Sequence, residues 1–153
     1  MRAKFLIALA VTALGTVPAQ AETARETLDQ FGFFGTWAVR CGQPPAPDNV
    51  TRRALPAAKK GVSFTETLGQ DSQPNTYSIL SAKRAGGDSI VIRTKLNGEI
   101  EQDLTIRKED NRVRTMQNRE VDTDDFVVKD GIVDSNQSET PWLTRCPDEP
   151  PSQ

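Results

Sequence analysis

Few residues in this chain are able to do chemistry. Its 153 residues include no histidine and two cysteines, Cys41 and Cys146. Without histidine there is no Ser–His or Cys–His nucleophile pair, no imidazole general base and little from which to build a zinc site. Carboxylates and guanidinium groups remain. A carboxylate pair held at a fixed separation cleaves glycosidic bonds, but 21 acidic residues make many pairs and no spacing singles one out. The run "EVDTDDFVVKDGIVD" gathers Asp122, Asp124, Asp125, Asp130 and Asp134. A calcium loop needs oxygen ligands at alternate positions and an early glycine; this spacing lacks that pattern, so these residues read as solvated turn acids. The expectation is a protein that is not an enzyme and carries no cofactor or metal, a carboxylate-based hydrolase being the catalytic alternative.

The best candidate site is the stretch "CGQPPAPDNVTRR". Asp48 or Asn49 caps a turn there, and Arg52-Arg53 offers two guanidinium forks to a carboxylate, a phosphate or an acidic partner. The simpler account is a solvated loop tied down by Pro44, Pro45 and Pro47. Residues 42–60 contain four prolines, which argues against a central strand and against a helix, so the whole segment is expected to be a long loop.

These residues must be positioned by something, and the compartment comes first. "MRAKFLIALAVTALGTVPAQA", residues 1–21, has the basic start, apolar run and small-x-small end of a cleaved export signal. The apolar run is shorter than the roughly 20 residues that span a bilayer. With the leader go Arg2 and Lys4, leaving 17 basic against 21 acidic residues, net −4. That balance disfavours nucleic acid and anionic lipid as partners. The expected product is a soluble periplasmic protein, monomeric, with one disulfide between Cys41 and Cys146.

From Gly61 onward the pattern is β: "GVSFTETL", "TYSILSAKR", "DSIVIRTKL", "EIEQDLTIRK", "RVRTMQNRE", "DFVVK" and "WLTRC", separated by turn residues about every 8–12 positions. With the strand around Trp37 this makes eight, an all-β antiparallel meander closed as a barrel. Around Asn97-Gly98, a three-residue loop, Leu96-Asn97-Gly98, pairs Ile90 with Leu104, Ile92 with Gln102, Thr94 with Ile100, Arg93 with Glu101 and Lys95 with Glu99. One face is then mainly oily and the other charge-paired. The expected division is a leader at 1–21, an N-terminal segment at 22–33 with helical turns from Glu22 to Gln30 ended by Gly32, the barrel at 34–146, and a tail without structure at 147–153.

Two similar phrases bracket the barrel, "WAVRC" at 37–41 and "WLTRC" at 142–146. On a strand, alternate residues share a face, so Trp37, Val39 and Cys41 point one way, and Trp142, Thr144 and Cys146 share a face of theirs. Both read as closure strands joined by the disulfide. The expected inward set is Trp37, Val39, Phe64, Ile79, Ile90, Ile92, Leu104, Ile106 and Trp142.

Gly35-Thr36-Trp37 on the first strand, with Arg145 near the end, resembles the calycins, the lipocalin-like barrels. Their Gly-x-Trp strand is crossed by a late arginine. The resemblance implies a barrel whose mouth holds a small apolar or amphipathic ligand. A direct Cys41–Cys146 register would set Trp37 opposite residue 150, beyond the reach of Arg145, so the disulfide is expected to exclude the Arg-over-Trp contact. The chain is also similar in size and export to bacterial barrels that inhibit lysozyme, although their Ser- and Lys-bearing inhibitory loop has no counterpart here. The expected function is therefore binding, of a small ligand or of an envelope partner, with inhibition of a cell-wall hydrolase or a ligand-free envelope interaction as alternatives. The binding candidates are Trp37, Arg40, Asp48, Asn49, Arg52, Arg53, Trp142 and Arg145.

Overall fold

The computed structural model describes residues 23–56 and 61–147; the expected leader and the tail beyond Pro147 lie outside the described residues. The first element is α1 (Ala24–Phe31), opened by a reciprocal cap between Thr23 and Glu26 and closed at Gly32, which is left-handed at φ 74°. Ten strands follow: β1 (Gly35–Ala38), β2 (Thr51–Pro56), β3 (Val62–Thr67), β4 (Asn75–Arg84), β5 (Ser89–Leu96), β6 (Ile100–Glu109), β7 (Arg112–Glu120), β8 (Phe126–Lys129), β9 (Ile132–Val133) and β10 (Leu143–Arg145).

Each strand from β1 to β7 pairs antiparallel with the next, and β10 pairs with both β7 and β1. The result is a closed eight-stranded barrel. Its membership differs from the expected one. Thr51–Pro56, read as loop, is a full barrel strand between β1 and β3. Three of the four prolines precede it and Pro56 is its last residue, so its interior donates hydrogen bonds normally. "DFVVK", read as a barrel strand, is instead β8, which pairs with the far half of β7 and with β9. The near half of that β7 edge belongs to β10.

Aromatic rings run through the core from the end where α1 packs to the level of Tyr77. Trp37, Phe33, Phe64, Leu28 and Ile90 are fully buried. Trp37 Nε1 donates to the Phe33 carbonyl at 2.9 Å, Phe33 meets Phe64 edge-on, and Phe64 stacks on Tyr77 with ring centroids 4.4 Å apart. The helix α1 buries Leu28 and Phe31 against this end, where Lys108 Nζ donates to the Phe31 carbonyl at 3.0 Å. One end of the barrel is thus plugged. Of the expected inward set, Trp37, Phe64, Ile79, Ile90, Ile92, Leu104 and Ile106 are buried and Val39 packs partly against the core.

Trp142 is the exception. It precedes β10, and the inward residue is its neighbour Leu143, paired with Val113. Trp142 lies half-buried under Arg112 and Arg114, whose guanidinium carbons are 5.0 and 5.9 Å from its ring centroid.

The closing strands hold both features that the sequence set against each other. Trp37 pairs with Arg145, whose guanidinium carbon lies 5.9 Å from the Trp37 ring centroid. Cys41 and Cys146 are also bonded. The two coexist because β1 stops at Ala38 and the chain bends at Val39-Arg40, carrying Cys41 back beside Thr36 and Cys146 on the outer side. Gly35 holds φ 125°, a conformation that strains any other residue, and the Arg145 guanidinium lies against it, within van der Waals contact of where a Cβ would stand.

The β5–β6 register is displaced by two residues from the expected one. Ile90 pairs with Ile106, Ile92 with Leu104, Thr94 with Gln102, Arg93 with Asp103 and Lys95 with Glu101. The loop is Asn97-Gly98-Glu99, with Asn97 at φ 50° and Gly98 at φ 78°. A shift of two keeps every side chain on its face, which is why the inward set survives.

On the outer face, Arg93 grips Asp103 with two bonds of 2.8 Å and Arg119 adds a third at 3.0 Å, while reaching Asp124. The Arg93 hydrogen bonds, with those of Arg119, hold the Asp103 carboxyl below the usual carboxylate range. A carboxylate so depressed stabilises the fold above its unfolded pKa of about 4 and loses that contribution as pH falls through the folded value. Asp103→Asn is expected to cost about 1 kcal/mol at neutral pH. The deficit should vanish in strong acid, which urea melts across pH will check.

Candidate functional site

The opposite end of the barrel is open. Inward positions change from oil to polar groups there: Thr94 on β5, Gln102 on β6, Arg52 on β2, Glu66 on β3, Thr115 and Asn118 on β7. A cavity of about 410 Å³ occupies this mouth, within the size range of small-molecule sites. Its floor is Phe64, Leu104 and Leu143, and its rim includes Leu68 and Val133.

Arg52 and Glu66 are register partners. Arg52 donates to Glu66 Oε2 from Nη2 at 2.7 Å and from Nε at 3.2 Å. Nη2 also donates to Thr115 Oγ1 at 3.1 Å, and the guanidinium carbon sits 5.2 Å from the Phe64 ring centroid. The side chains are 7% and 17% exposed. The third nitrogen, Nη1, is buried with no partner among the described residues, as are Asn118 Oδ1 and Gln102 Oε1. Native interiors leave few such atoms. A buried ion pair is, moreover, often no more stable than oil of the same volume, so its presence is weak evidence of a stabilising role.

Tyr77 completes the wall. Burial first, then the negative charge of Glu66 against a weaker opposing effect of Arg52, pushes its hydroxyl up to about 12.

The expected site residues are scattered. Arg52 is in the cavity and Arg53, its neighbour on the strand, is exposed outside, so the two guanidiniums cannot grip one group. Asn49, almost wholly buried, is a loop staple: Oδ1 accepts from Arg40 N at 2.7 Å, and Nδ2 donates to the carbonyls of Pro44 at 2.9 Å and of Arg40 and Gln43 at 3.3 Å. Arg40 pairs with Asp48 at 2.8 Å on the exposed surface, holding the Asp48 carboxyl below its usual range. Trp37 and Arg145 serve the plugged end and the closing seam. Neither they nor Trp142 lines the mouth. Glu66, Tyr77, Thr115 and Asn118 were not anticipated as site residues; the signal available was parity, since Glu66 follows Val62 and Phe64 on one face of a strand.

A larger, more open cleft of about 590 Å³ lies between the folded-back loop and β1, edged by Pro44, Pro45 and the disulfide; none of the described residues with an unpartnered buried side-chain atom lines it. The acidic run is used locally, Asp124 by Arg119 and the Asp125 backbone by Thr123. Among the described residues no group of three or more Cys, Asp or Glu side chains is placed to hold a metal ion. Compared with protein families, with curated proteins and with solved structures, the chain matches none.

Proposed function

We propose that the chain is a non-catalytic periplasmic binding protein of calycin-like design that takes a small amphipathic ligand in the barrel mouth. The observation that carries this reading is the mouth cavity itself, apolar on its floor and lined at its side by the Arg52–Glu66 pair. The plugged far end and the Arg145–Trp37 seam support the calycin likeness, and the leader-like residues 1–21 support export. Both Arg52 donors converge on Glu66 Oε2, which ties the carboxylate to the guanidinium.

The test is titration with N-phenyl-1-naphthylamine, an uncharged dye that brightens on leaving water. The expected result is saturable brightening at one dye per chain, weakened about ten-fold or more in Val133→Trp, which fills the rim. Tryptophan emission is not the reporter, since neither tryptophan lines the cavity. Absence of saturation, or equal binding by the filled variant, removes the reading.

A further inference from the structure

We infer that the mouth selects a ligand with an uncharged polar head, such as an alcohol or a primary amide, and that it discriminates against a carboxylate on the same chain. This rests on the ligand-binding reading above and adds the class of head group. The polar residues that line the cavity beside its apolar floor are Arg52, Glu66, Tyr77, Thr115, Asn118, Asn136 and Thr140.

The charge balance decides against an anion. A lone buried guanidinium would welcome a carboxylate, but Arg52 is not alone. The titratable or charged side chains lining the cavity are Arg52, Glu66 and Tyr77, and the first two cancel. A ligand carboxylate would add one uncompensated negative charge close to Glu66, in a site where water screens poorly. The Tyr77 hydroxyl senses this balance, since after burial it is the Glu66 charge, more than the opposing Arg52 charge, that resists its ionisation. The same field raises the pKa of any acid bound beside it, so an acid enters as its neutral form. Apolar chain atoms then rest on Phe64, Leu104 and Leu143 at the floor.

The test compares octanamide, 1-octanol and octanoate by calorimetry on the oxidised protein. At pH about 8 octanamide and octanol should bind roughly ten-fold or more tightly than octanoate. The gap should narrow as pH falls toward the ordinary carboxylic range of about 4 to 5, while octanamide binding stays flat. Glu66→Gln leaves Arg52 as an uncompensated cation and should reverse the order in favour of octanoate; the pH comparison needs no variant. Preference for octanoate by the parent, or octanoate binding indifferent to pH, overturns the head-group assignment and leaves the ligand-binding reading standing. If none of the three binds and the dye fails as well, the binding reading falls with it.

Discussion

Replacing Cys41 and Cys146 together by serine is expected to lower stability by about 4–5 kcal/mol, the loop-closure entropy that a staple over 105 residues removes from the unfolded chain. For a domain of this size that corresponds to a melting point lower by roughly 10–20 °C. The barrel's own seam does not depend on the bond, because β1 and β10 are joined by backbone pairing at Trp37–Arg145 and Ala38–Thr144. The variant should therefore keep its native far-ultraviolet spectrum at low temperature while melting early. Locally, the loop that folds back from Val39 should become sensitive to protease, since Asn49 then holds its turn without the covalent anchor. A melting point unchanged from the parent would show that the staple constrains nothing the seam does not already fix.

The second large effect is asymmetric. Arg52→Met leaves Glu66 buried opposite a thioether and should cost about 3–5 kcal/mol, the penalty of an uncompensated buried charge. The double variant Arg52→Met, Glu66→Leu should recover that loss and equal or exceed the parent by about 1–4 kcal/mol, because oil then continues upward from Phe64 and Leu104. A pair kept for stability would show the opposite, with the double variant less stable than either parent or single change. Denaturant melts of the three proteins decide between them.

How far the sequence carried this picture can be read from particular residues. The closed, eight-stranded antiparallel barrel and the Cys41–Cys146 bond follow from turn spacing and cysteine count, and both are present. The strand β2 was hidden because its inward positions are Arg52 and Ala54, which make no oily alternation, and because prolines crowd its approach. The β5–β6 pairing slipped by two because Leu96 is half-buried and Ile100 exposed, so hydrophobicity does not separate two registers of equal parity. The twin "W-x-x-R-C" phrases misled for a local reason. Trp37 belongs to a strand that then bends, whereas Trp142 stands before its strand, so equal spacing does not mean equal facing. The site was legible only through Arg52. Glu66 and Asn118 are polar residues on inward parity, and a pattern search that looks for oil passes over them.

The proposed ligand sits in the open end of the barrel and on no outer surface. Nitrogen-labelled protein titrated with octanamide tests it most directly, by following the Arg52 Nε–H and Asn118 side-chain amide signals beside the backbone signals of the whole chain. Saturable shifts are expected at Arg52, Asn118, Thr115 and Tyr77, with Leu28 and Phe33 at the plugged end unmoved. Shifts gathered around Trp142 or the Pro44–Pro45 cleft with the mouth silent would contradict it.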